Sequence, residues 1–166
     1  MRISLMLQKI LIATGDSPES EQVLEAGLRL AEKFCAEILL LHVLNLFQSS
    51  FETAGSQFMG GMYPITNDLA IQQYQKEWQV YEKRGTERLQ SYAQQANDRS
   101  IKAEIFQNVG DAGRVICETA KNGSVDLIVM GRNQKSALSE IFLGSTSNYV
   151  LHHAPCSVMV IKPTAL

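Results

Sequence analysis

The sequence predicts an α/β fold, a five-stranded parallel sheet covered by helices on both faces. Short apolar runs alternate with segments of helical period along the chain. Two of those runs, "EILLLHVL" (37–44) and "VDLIVM" (125–130), are apolar throughout instead of alternating, as in strands buried on both faces. A length of 166 residues suits one domain, 1–166, with a single core.

The elements follow in order. "KILIA" (9–13) reads as the first strand and runs into "TGDSPES", a turn and helix start. Ser17 before Pro18 fits an N-cap with proline at the first helical position, and Glu19 and Glu21 suit the positive end of the dipole. Val23, Leu24, Gly27, Leu28, Ala31 and Phe34 then recur at helical spacing, and the second strand follows at 37–44. Residues 45–66 have no steady period and are broken by Gly55, Gly60, Gly61 and Pro64. They predict a long, mobile connection. Its Phe47, Phe51, Phe58 and Met59 either cover a ligand or partner surface or pack on the domain's own edge.

From Asn67 to Asn97, Tyr74, Trp78, Tyr81, Gly85, Leu89, Tyr92 and Ala96 recur at steps of three and four. No basic residues interleave this stripe as a base-stacking platform requires, so it reads as core. Gly85 within it predicts a close approach to a neighbour. "KAEIFQNV" (102–109) is the third strand, "GDAG" a turn, and about 114–121 a helix stopped by "NGS". The fourth strand is 125–130, the last helix runs from Ser145 to His153, and "VMVIK" is the last strand.

Bulk numbers exclude several functions. The net charge of −2 gives no general pull toward nucleic acid or acidic lipid. Cys35, Cys117 and Cys156 are far apart and odd in number, which predicts three reduced, buried thiols. The opening "MRISLMLQKI" is too short for a signal-peptide core, and no apolar run approaches a membrane span, so the expectation is a cytoplasmic protein.

In parallel sheets, ligands sit beyond the carboxyl ends of the strands, where strand order reverses. "ATGDS" (13–17), "HVLN" (42–45) and "GRNQK" (131–135) share that edge. Gly144 with Ser145, Thr146 and Ser147 opens a helix whose free amides suit an anion, or simply a polar N-cap. Asp16 holds a ribose hydroxyl or a phosphate-bound metal, or closes an Asx turn. Arg132 and Lys135 meet a phosphate or are solvated. His42 lies inside an apolar strand and reads as a hydrogen-bonded core or edge residue, not a catalyst; His152 and His153 point to different sides and make a poor metal pair.

"KILIATGDSPES", "ILLLHVL" and above all "DLIVMGRNQKSALSEIFLGSTSNYVLHHAPCSVMVIK" resemble the universal stress protein family over nearly the whole chain. The resemblance implies a Rossmann-like, adenine nucleotide alpha hydrolase-like three-layer sandwich. It also implies a homodimer paired through the last strand (157–161), and ATP, with Mg2+, at the carboxyl edge. The nucleotide-binding branch has Gly, two residues, Gly, nine residues, then Gly and Ser or Thr. Here Gly131 matches the first position, Gln134 stands at the second, and Gly144 with Ser145 matches the last. The family's Asp then Gly before the first-turn Ser is reversed to Gly15 then Asp16.

If position 134 needs a left-handed backbone, glutamine there costs about 1–2 kcal/mol, or about tenfold in affinity. The flanking glycine and Gly-Ser pair favour retained binding. The candidate nucleotide-binding set is thus Ala13, Thr14, Gly15, Asp16, Ser17, Val43, Met130, Gly131, Arg132, Gln134, Gly144, Ser145 and Thr146. The resemblance implies that Val43 in this set faces adenine through its backbone.

The function expected is a stress-response sensor or regulator that binds ATP or a related adenine nucleotide, hydrolysing it slowly at most. The alternative is a dimeric interaction module of the same family that binds no nucleotide. A third reading takes "ATGDS" as a partial match to the pyrophosphatase loop of ATP-dependent ligases. It is disfavoured because the chain is too short for a second substrate domain.

Overall fold

The computed structural model describes residues 7–45, 68–132 and 144–162, with side chains left aside at 68–71 and 73. Its elements are β1 (Lys9–Thr14), α1 (Ser20–Phe34), β2 (Glu37–Leu44), α2 (Asp68–Asp98), β3 (Ala103–Val109), α3 (Ala112–Asn122), β4 (Leu127–Gly131), α4 (Ser145–His153) and β5 (Ser157–Ile161). All neighbouring strands pair parallel, in the order β3-β2-β1-β4-β5. The chain winds outward from β1 to β3, then returns to place β4 on the other side of β1. The order therefore reverses between β1 and β4, where a parallel sheet opens a crevice at its carboxyl ends.

Alternation along the strands divides the core into two layers. Ile10 and Ile12 of β1 pack with Ile38 and Leu40 of β2 under α1 (Leu24, Leu28) and α2 (Leu89, Tyr92, Ala96). Leu11, Leu39 and Leu41 face the other way, under α3 (Ile116, Cys117, Ala120) and Val150 of α4. Both faces of β1 and β2 are thus apolar, as the unbroken runs predict. Each fully buried Leu or Ile contributes about 1.5–3 kcal/mol.

Some expectations are corrected. Ser17 does not cap α1. Residues 17–19 first make a tight turn, with the amides of Ser20 and Glu21 donating to the carbonyls of Ser17 and Pro18 (3.0 and 3.3 Å), and Glu19 takes the cap position without a side-chain bond. The Ser17 hydroxyl instead donates to the Glu19 carboxylate, which lowers the pKa of that acid. β4 starts at Leu127 because the Asp126 carboxylate accepts the amides of Gln8 (2.8 Å) and Lys9 (2.9 Å) below β1.

α3 starts at Ala112, since Asp111 caps it by accepting the Arg114 amide at 2.9 Å. The aromatic stripe is core only in its second half. Gly85, Leu89, Tyr92 and Ala96 are buried, whereas Tyr74 is exposed and Trp78 and Tyr81 half-buried, because that end of α2 lies outside both core layers. Of the cysteines, only Cys117 is buried. Cys35 is exposed at the left-handed end of α1, and Cys156 is intermediate. The segment 46–66, Gln134 and Lys135 lie outside the described residues.

Candidate functional site

A cleft of about 470 Å³ opens at the carboxyl ends of β1, β2 and β4. Ala13, Thr14, Gly15, Asp16 and Ser17 supply one wall, Val43 another, and Met130, Gly131 and Arg132 a third, with Thr146 from the first turn of α4. Gly144 and Ser145 open α4 next to Thr146 but do not line the cleft. The first amides of a helix lack partners within it, so the α4 turn presents donors at this edge.

The wall before α1 is held by one side chain. Ser20, buried, accepts the Gly15 amide at 3.1 Å and donates to the Gly15 carbonyl at 2.9 Å. Thr14 donates its hydroxyl to the Leu41 carbonyl at 3.3 Å, so that group ties β1 to β2 instead of facing a ligand. Ser147 likewise donates to the Gly131 carbonyl at 3.3 Å, which joins α4 to the end of β4. A Cβ on Gly131 would lie 3.0 Å from Val23 Cγ2, so β4 and α1 approach closely there. The Arg132 amide donates to the Ile161 carbonyl at 3.0 Å, and its buried Nε has no partner among the described residues.

Asp16 is more heavily engaged than an Asx turn or a free ligand group. Tyr81 of α2 donates its hydroxyl to Asp16 Oδ2 at 2.9 Å. Arg88 Nη1 donates to Asp16 Oδ1 at 3.0 Å and to the Gly15 carbonyl at 2.6 Å. His42 Nε2 lies 3.3 Å from Asp16 Oδ1, off the line of a good hydrogen bond. Burial raises the Asp16 carboxyl, but His42, Tyr81 and Arg88 outweigh it and hold the group at about 2. Burial, followed by the bond to Asp16, pushes the Tyr81 phenol up.

Tyr81, Arg88 and His42 are absent from the sequence-derived set. A signal for two of them was present: Tyr81, Gly85 and Arg88 stand at i, i+4 and i+7, which places a cation on the buried face of α2.

The sequence pattern of the Universal stress protein family matches residues 6–162. Universal stress protein Sll1388 of Synechocystis sp. is 32% identical over 162 residues, covering 93% of this chain and 97% of that protein. Universal stress protein Slr1101 of the same organism is 40% identical over 104 residues, 62% of this chain and 96% of that protein.

Among solved structures, hypothetical protein MJ0577 superposes with a TM-score of 0.69 at 22% identity, covering 97% of this chain and 99% of that one. A universal stress protein in complex with cAMP superposes at 0.59 and 15% identity over 96% and 99% of the two chains. An Arabidopsis thaliana family protein with AMP bound superposes at 0.60 and 21% over 95% and 93%.

Proposed function

The chain belongs to the universal stress protein family, and from that premise we propose that it binds an adenine nucleotide in the cleft and acts as a stress-response sensor or regulator. One observation carries the reading. Residues 13–17, Val43, 130–132 and Thr146, distant in sequence, line one cleft at the switch point of a parallel sheet. Solved relatives with cAMP and AMP support the ligand class.

ATP is the fullest occupant, its phosphates directed to the start of α4 and its base to Val43. Both Asp16 oxygens already accept hydrogen bonds from Tyr81 or Arg88, so Mg2+ would be carried by the phosphates. A carboxylate held at about 2 is a poor general base, which favours slow hydrolysis at most. The reading takes the chain as one domain working in the cytoplasm. Among the described residues no helix is long and apolar enough to cross a membrane.

The test is calorimetry of nucleotide-stripped protein with ATP and Mg2+, AMP and cAMP. Binding of at least one supports the reading, and no heat from any of them at high protein concentration sinks it. A second feature supports a homodimer through β5. That strand ends the sheet, and its Met159 is 40% exposed. Sedimentation of wild type and Met159→Lys checks this; a wild-type monomer at all concentrations refutes it. A dimer without nucleotide binding would favour the interaction-module reading.

A further inference from the structure

His42 is 2% exposed near the carboxyl end of β2, where it borders the cleft, and nucleotide binding alone gives it no task. Groups from every neighbouring element face it. Asp16 Oδ1, from the loop after β1, is 3.3 Å from Nε2. Gln107 Oε1, from β3, is 3.4 Å from Nδ1. α2 brings Gly85, where a Cβ would lie 2.6 Å from Nδ1, and Tyr81, edge-on with ring centroids 6.3 Å apart. Thr14 of β1 is its register partner. The charge beyond this shell is Arg88, which shares Asp16 Oδ1.

Gln107 has one consistent orientation. Its amide nitrogen donates to the Glu82 carbonyl at 2.9 Å and to Thr86 Oγ1 at 3.2 Å, so its oxygen must face the ring. Nδ1 therefore carries a proton in either charge state. Nε2 then decides what Asp16 meets. The imidazolium turns an N–H toward the carboxylate, whereas the neutral ring turns a lone pair toward it.

The geometry points to His42 as a proton-dependent positioning residue for Asp16, which holds the carboxylate in the cleft when the ring is doubly protonated and loosens it when Nε2 is bare. Tyr81 and Arg88 remain attached to Asp16 in both states, so the change is partial. The consequence for ligand affinity rests on the nucleotide reading; the coupling itself concerns the protein alone.

Ligand-free protein labelled in its histidine nitrogens and aspartate carboxyls is therefore the first sample. NMR between about pH 5 and 9 covers the range in which imidazole changes charge. The exposed His152 and His153 serve as internal references. The expected result is a buried ring whose neutral form is the Nδ1–H tautomer, with the Asp16 carboxyl signal moving in step with its titration. An Nε2–H tautomer, an Asp16 signal indifferent to the ring, or a ring that keeps one charge state across the range overturns the inference.

The second arm uses cAMP, whose phosphodiester keeps one charge throughout. Wild-type affinity should fall roughly fivefold as the ring loses its proton, about the worth of one partly exposed ion pair. In His42→Gln the affinity should be flat with pH. A pH-indifferent wild-type affinity overturns the link to the ligand, whereas no cAMP binding at any pH, with the NMR coupling intact, counts against the nucleotide reading alone.

Discussion

Gly85→Ala should destabilise the protein, although alanine is the better helix former. In an exposed helix interior the change would add about 1 kcal/mol. Here a Cβ would lie 2.6 Å from Nδ1 and 2.9 Å from Cε1 of His42. That ring is 2% exposed and sits between Asp16 and Gln107, so displacing it disturbs both contacts. Gln107 is also in the way. Its terminal amide is flexible in principle, but shifting it strains two hydrogen bonds to α2, worth about 1 kcal/mol each. Overpacking of this kind costs about 1–3 kcal/mol. Set against the helix gain, the net loss is about 1 kcal/mol. For a chain of this size that lowers Tm by roughly 2–4 °C. Urea unfolding monitored by circular dichroism, with calorimetry for Tm, reads both quantities. A variant as stable as wild type, or more so, would refute the claim that α2 docks on His42 through a glycine.

Three further outcomes are expected. Asp16→Asn should flatten part of the acid limb of the stability profile. The depressed Asp16 carboxyl stabilises the fold above about pH 4, and that contribution is lost as pH falls toward about 2; the full shift is about 2 kcal/mol, but 41% side-chain exposure reduces it to roughly 1 kcal/mol, readable as a smaller drop in urea midpoint between those pH values. Ser20→Ala should cost about 1–2 kcal/mol and weaken nucleotide binding together, since one hydroxyl serves both Gly15 groups; unchanged affinity by calorimetry would separate the turn from the site. Leu40→Ala, at a fully buried position under α1 and α2, should cost about 2–5 kcal/mol by urea unfolding, and a loss below 1 kcal/mol would contradict the packing described.

The layered architecture was legible because it rests on local signals. Unbroken apolar runs marked β2 and β4, and three- and four-residue spacing marked α1 and the buried half of α2. Element edges were less legible where a distant partner sets them. Asp126 leaves β4 to hold the Gln8 and Lys9 amides, more than a hundred residues away in sequence. Ser20 rather than Ser17 serves the first turn because its hydroxyl reaches back to Gly15.

The cleft's loops were visible as Gly-, Asp- and Ser-rich strand exits. What lies behind Asp16 was not, since Tyr81 and Arg88 are 65 and 72 residues away from it. Periodicity places those two residues on one face of α2, but only the crossing of α2 over β2 and β3 puts that face beside His42 and Gln107.

The pairing of Asp16 with Arg88 has an electrostatic consequence. A bare carboxylate about 6 Å from a phosphate oxygen would oppose it by roughly 3 kcal/mol at an effective dielectric near 20. With the Arg88 guanidinium 3.0 Å away, the two charges act at longer range as a dipole, whose field decays faster than that of a single charge. On the nucleotide reading, an arriving polyphosphate would therefore meet little net repulsion from Asp16, even though that acid is ionised. The same carboxylate stays ionised at short range, where it can accept a hydrogen bond from a sugar hydroxyl.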